Sequence, residues 1–265
     1  MTIIDKIKYA LLKTRFARYI RVVEGWILRF KITVSRPSST VRTVLCISPY
    51  KTGTTFIAGL FRKEVAKHEP LHYISYKLLD KDFDKYFQKR MAYLNLKLEC
   101  SGLWSAYVDD LASNATSKDL DYICVLRSPS SWVTSVINYW NEPFMLDFHF
   151  DIQNEFFWKN KVGVNLREFN FDRESKTNEE IIEKLISFYF DFTEKTKNIR
   201  NLTYIHLHDI KKKISCIEDL LGEKANVKNS WKRQNKNKRF IYKNDEIDNR
   251  YKVLTDNLIR NRERQ

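Results

Sequence analysis

Five short apolar runs alternate with helical patterns along most of this chain, and that alternation restricts the fold more than any other feature. The runs are "RTVLCIS" (Arg42–Ser48), "LHYIS" (Leu71–Ser75), "LKLEC" (Leu96–Cys100), "DYICVLR" (Asp121–Arg127) and "LTYIHLHDI" (Leu202–Ile210). Between them, Gly53–Lys67, Lys77–Tyr93, Trp104–Ala112, Ser130–Trp140 and Asn178–Lys197 read as helices, and a further helix after Ile210 ends at Gly222. Strands separated by helices close as a parallel sheet, because parallel neighbours need a crossover rather than a tight turn. The expected fold is therefore α/β: three α/β/α layers around a central, mostly parallel sheet of about five strands. Ligands in such sheets bind at the carboxyl ends of the strands. The residues that follow each strand are thus the ones to read for chemistry.

The first strand runs into "SPYKTGTTF", Ser48–Phe56. Gly53 permits a sharp turn. Thr52, Thr54 and Thr55 bring amides and hydroxyls to a helix start, and Lys51 adds a full charge, so the loop suits a phosphate. It is not the usual nucleotide loop: the second glycine is missing and the lysine precedes the glycine instead of following it. No strand ends on an obvious magnesium-holding carboxylate. The fourth ends on Arg127, which points to a second phosphate held by a guanidinium. "LRSPSSWVTS" continues from it, with Pro129 opening the turn and Ser135 eight residues beyond Arg127.

Together these motifs resemble those of sulfotransferases that use 3′-phosphoadenosine 5′-phosphosulfate (PAPS). "YKTGTTF" is similar to the family's 5′-phosphosulfate loop, "LRSPSSWVTS" to its 3′-phosphate motif, and "YIHLHDI" followed by "LLG" to its last core strand. The likeness spans about Val44–Gly222. It implies a P-loop-NTPase-like sulfotransferase fold, PAPS as donor, 3′,5′-adenosine bisphosphate (PAP) as product, and no metal. It implies that Lys51 contacts the sulfate-bearing phosphate, that Thr52, Gly53, Thr54 and Thr55 cradle the 5′-phosphate, that Phe56 stacks on adenine, and that Arg127 and Ser135 hold the 3′-phosphate. Ser128 stands where relatives commonly carry Asn or Asp, and the Arg-Lys-Gly of the family's closing loop is absent. Lys232 and Arg233, in "NSWKRQNKNKR", are the candidates for that task.

Sulfuryl transfer also needs a group to take the acceptor's proton. "KHEPLHYIS" (Lys67–Ser75) is similar to the carbohydrate-type segment in which a Glu precedes an aromatic-rich strand, so Glu69 is the expected base, with His68, His72 and Glu99 as alternates. A carbohydrate or glycolipid acceptor follows from that likeness. The aromatic stretch Pro143–Asn160, with Phe144, Phe148, Phe150, Phe156, Phe157 and Trp158, fits either a lid over the acceptor or a flap with its own small core.

The chain has 265 residues, enough to bury a core without staples. The domain reading is an N-terminal basic helix and linker over 1–40, then one domain over 41–265, with an insertion at 142–177 and a basic segment at 224–265. The net charge of +14 calls for an anionic partner. Residues 3–32 have helical apolar spacing, with a break expected near Gly25. Residues 1–36 carry nine Lys or Arg against two acids. That segment fits a helix packed on the domain with a solvated basic face, or a peripheral contact with an anionic membrane. No nucleic acid is expected. Cys46, Cys100 and Cys124 sit in strand-like runs as small apolar side chains, and a reducing, cytoplasmic setting fits them. No leader peptide and no membrane span are expected: the longest uncharged run, Ser128–Asn141, has 14 residues. Two other classes compete with the transferase: a kinase with a degenerate loop, and a basic nucleic-acid or membrane-binding protein.

Overall fold

A computed structural model describes residues 17–36, 42–141, 153–227 and 239–264. The elements are α1 (Ala17–Val34), β1 (Val44–Cys46), α2 (Thr54–Gly59), β2 (Ala66–His68), α3 (His72–Leu79), α4 (Phe83–Leu94), β3 (Leu98–Cys100), α5 (Val108–Ser113), β4 (Asp121–Leu126), α6 (Pro129–Trp140), α7 (Lys176–Lys195), β5 (Asn201–His206), α8 (Ile214–Leu221) and α9 (Asp245–Glu263). The five strands form one sheet in the order β2-β3-β1-β4-β5, and every neighbouring pair is parallel. The three-layer α/β/α architecture stands as expected.

Strand alternation builds both layers. Leu45, Ile47, Tyr122, Cys124 and Leu126 face the larger core, with side chains from α1, α3, α4, α6 and α7. Val44, Cys46, Ile123, Val125 and Ile205 face a smaller one under α2 and α8. Tyr122 to Leu126 are all buried, as a central parallel strand requires. Three of the four cysteines, Cys46, Cys100 and Cys124, are buried free thiols within the sheet.

The strand order sets the position of the site. The chain leaves β1 toward the β2 edge and leaves β4 toward β5. Neighbouring strands whose connections diverge open a crevice at their carboxyl ends. Here that crevice lies between the tips of β1 and β4, where Lys51 and Arg127 are found.

Three expectations need correction. The second strand is Ala66–His68, and Leu71–Ser75 instead enters helix α3. The Leu71, Ile74, Ser75, Leu78, Leu79 spacing is in fact helical. The first helix stops at Gly59 instead of reaching Lys67, because the Val65 carbonyl is taken by the Leu98 amide and the chain is drawn into the sheet. Helix α1 runs through Gly25 without a break. A fourth difference concerns the insertion. Phe157 and Trp158 are wholly buried, with Phe157 at 4.8 Å and Trp158 at 6.1 Å from the Tyr50 ring, so this stretch is core. Phe144, Phe148 and Phe150 lie outside the described residues, as do Lys232 and Arg233.

Candidate active site

The loop between β1 and α2 is held from behind. Trp132 on α6 donates its indole N–H to the Tyr50 carbonyl at 2.7 Å, and Arg127 donates Nη1–H to the next carbonyl, that of Lys51. The residues after β4 therefore fix the backbone of the loop after β1. Gly53 has φ 107°, and a Cβ there would stand 2.7 Å from Leu207 Cδ1 and 3.3 Å from Ile210 Cδ1. Only glycine meets both conditions. Lys51 has φ 68°, a conformation uncommon for a side chain with a Cβ.

Each side chain of the loop has a distinct role. Thr52 turns inward and donates to the Pro49 carbonyl at 2.7 Å, so its hydroxyl is used in the turn itself. Thr54 and Thr55 place their hydroxyls 3.2 and 3.0 Å from His68 Nε2. The Lys51 ammonium lies over the Tyr139 ring, 3.6 Å from its centroid. Phe56 is half-buried against the smaller core beside Leu207. Helix α2 has only six residues, so the charged and polar groups of the loop matter more than the helix dipole.

Helix α6 is buried on nearly all sides. Within its span the partly accessible positions are Ser131, Ser135 and Tyr139, one stripe at i, i+4 and i+8. Arg127 donates to Ser131 Oγ from Nε at 3.0 Å and from Nη2 at 2.8 Å. Lys51 covers Tyr139 at the other end, and Ser135 lies between them. The spacing from Arg127 that singled out Ser135 passes over Ser131, although Ser131 is the residue the guanidinium meets. An i, i+4 reading from Arg127 would have found it. Tyr189 completes the frame, accepting from the Arg127 amide at 3.2 Å and donating to its carbonyl at 2.9 Å.

Glu69 follows β2. Its amide extends the sheet by bonding to the Cys100 carbonyl, and its φ of 49° then turns the chain away. One carboxylate oxygen accepts from the Gly102 amide at 2.9 Å and the other from Ser101 Oγ at 2.8 Å. Gly102 is required there: a Cβ would fall 2.6 Å from the Tyr50 ring. His68 Nε2 stands 3.6 Å from Oε1. Burial pushes the Glu69 carboxyl up to about 8, against the opposing pull of those two hydrogen bonds. The Glu69 charge in turn helps raise the Tyr139 phenol, after burial as the main cause. Glu69, Tyr139 and Lys51 thus share one neighbourhood. Of the four non-glycine residues with positive φ among the described residues, two are Lys51 and Glu69. Such backbone conformations collect at sites where the surroundings impose them.

Glu99, one of the alternates, is enclosed in the core. It is wholly buried and takes two bonds from Arg90, at 2.5 and 2.7 Å, and one from Trp104 Nε1 at 3.0 Å. Arg90 also bonds to Ser75 Oγ and the Pro70 carbonyl. This network locks the segment on either side of Glu69 and α3, and sequence reading missed it because Arg90 looks like one more charge on a polar helix.

Beyond Arg127 an open cavity of about 770 Å³ extends between the tips of β4 and β5 and helix α9, lined by Ser128, Ser131, His206, Tyr251, Lys252 and Asp256 among others. Helix α9 contributes Asp248, Asp256 and Lys252 to one wall, and Arg127 lies at the opposite, β4 side. The cavity has the size of small-ligand pockets. Comparison with protein-family models, curated proteins and solved structures returns no match for this chain.

Proposed function

We propose that this protein moves a sulfuryl group from PAPS to a hydroxyl or amine of a carbohydrate acceptor. The observation that carries the reading is the bond from Arg127 to the Lys51 carbonyl. It brings the two candidate anion-binding elements together at the tips of β1 and β4, as one nucleotide carrying phosphates at both its 5′ and 3′ positions would require. The acceptor class rests on the sequence resemblance around Glu69 to carbohydrate-type enzymes, from which this chain departs in having helix α3 where that segment has a strand.

The residues suit the donor. Gly53 lets the loop turn with positive φ and pack closely on Leu207 and Ile210. The loop amides with Thr54 and Thr55 would hold the 5′-phosphate, Lys51 would offset charge growing on the leaving phosphate oxygen, and Arg127 with Ser131 and Ser135 would hold the 3′-phosphate. Phe56 would present its exposed side to adenine. In the transfer, the bond from sulfur to the 5′-phosphate oxygen breaks as a bond from sulfur to the acceptor oxygen forms. The acceptor's proton passes to the Glu69 carboxylate. With its carboxyl at about 8, Glu69 acts as a base only in its deprotonated fraction, which grows as pH rises toward 8.

Melting with PAP, ADP and ATP, each with and without magnesium, tests the reading. PAP at 100 times its dissociation constant adds about 2.7 kcal/mol, which for a chain of this size raises Tm by roughly 5–10 °C. The stabilisation is expected with PAP, without magnesium, and above that of ADP. A preference for ATP with magnesium would give the site to a kinase instead.

A further inference from the structure

Helix α1 has two apolar faces, and the domain uses one. Gly25 and Ile32 are buried, and Leu28 packs on the larger core beside α3 and α4. The other face holds Val22, Val23, Trp26, Ile27, Phe30 and Val34, and Trp26 and Phe30 are 71% and 68% exposed. At about 100° per residue these six fill a sector of roughly 140°. Arg29 lies just beyond one edge of the sector and Lys31 just beyond the other, both exposed. Long cationic side chains so placed can lay their stems along an apolar layer and keep their charges in a polar one. A contiguous apolar face of this kind marks an interaction surface.

The charge decides what covers it. Residues 1–36 carry nine Lys or Arg and two acids, and the whole chain is +14. A second copy would set one cationic segment against another, which opposes pairing. A nucleic acid would match the charge and leave the rings in water. A bilayer with anionic headgroups satisfies both, with acyl chains for Trp26 and Phe30 and phosphates for Arg29 and Lys31. Among the described residues no helix is long and apolar enough to cross a membrane, so α1 would lie along the surface.

We propose that the outer face of α1 docks the protein on a membrane surface bearing anionic lipid headgroups. The proposal is independent of the sulfuryl-transfer reading. Vesicle flotation with the full chain tests it, using phosphatidylcholine alone and phosphatidylcholine mixed with phosphatidylglycerol. The chain is expected to float with the mixed vesicles, to do so less as salt rises, and to float weakly with phosphatidylcholine alone. The double variant Trp26→Glu, Phe30→Glu should lose at least about tenfold in partitioning, with unchanged Tm and unchanged stabilisation by PAP. Arg29→Glu with Lys31→Glu should lose the preference for the anionic lipid while keeping the rings. Failure of the chain to float with mixed vesicles overturns the proposal, as does equal flotation of the Trp26, Phe30 variant. A dimer in solution that this variant converts to monomer would also overturn it, assigning the face to a second copy.

Discussion

Glu69 combines a left-handed backbone, two hydrogen bonds to its carboxylate and a raised proton affinity. Replacing it with Gln removes the base and keeps the shape. Turnover should fall by at least ~100-fold while PAP still raises Tm, and unchanged turnover would take Glu69 out of the mechanism. Under the proposed mechanism only the carboxylate can accept the proton. With the carboxyl at about 8, turnover should climb with pH up to about 8 and then level. The stability effect has the opposite direction. The folded chain holds a proton on Glu69 between the ordinary value of 4.5 and about 8, and the unfolded chain does not. This residue's contribution to stability is therefore complete below 4.5, declines as pH rises toward 8, and is flat above it. Glu69→Gln should abolish that decline in urea unfolding series across the same pH range.

At the scale of elements, the loop after β1 is shaped less by its own sequence than by what β4, α6 and β5 press against it. Trp132 and Arg127 hold two consecutive carbonyls, and Leu207 and Ile210 close on Gly53 from the end of β5. Gly53→Ala should cost roughly 2–4 kcal/mol, from backbone strain and from crowding against Leu207, and should weaken the PAP-induced shift in Tm. Gly163 offers the control. It also has positive φ, at 80°, yet a Cβ there meets nothing within 4 Å, so Gly163→Ala should cost only about 1 kcal/mol and leave the response to PAP intact. Urea unfolding of both variants, with and without PAP, separates the two effects.

For the whole molecule, the C-terminal helix is the piece that ties the periphery to the site. Tyr251 on α9 is buried, stacks on Tyr189 at 5.0 Å, and lies 3.1 Å from Thr193 Oγ1 through its hydroxyl. Tyr189 in turn brackets the Arg127 backbone. The amide of Ser130 donates to Asp248 on the same helix, and Asn244 meets the Ser130 side chain. Tyr251→Ala should lose roughly 3–5 kcal/mol in chemical unfolding. It should also weaken donor binding in titration calorimetry, although Tyr251 lies behind Arg127. If PAP affinity were unchanged, α9 would be support for the fold alone.

Much of this was readable from local pattern. A strand with an unbroken apolar run, as in Tyr122–Leu126, is legible because burial on both faces disfavours polar residues. The helix after it is legible because Pro129 sits where a helix tolerates proline. The loop around Gly53 is legible because a lysine, a threonine and a glycine follow an apolar run and lead into a helix start at Thr54. Tertiary contacts decided the rest. Ala66–His68 became an edge strand through its bonds to β3, which no three-residue stretch can signal alone. Glu99 was enclosed by Arg90, nine residues away in sequence and bonded only once α4 packs beside β3. Phe157 and Trp158 went into the core because Tyr50 was there to receive them. Local pattern carries the information for which stretches become strands, turns and helix starts, since those depend largely on neighbours in sequence. Which carboxylate stays available and which ring is buried depend on residues brought together by folding, and only the assembled sheet and its helices specify those meetings.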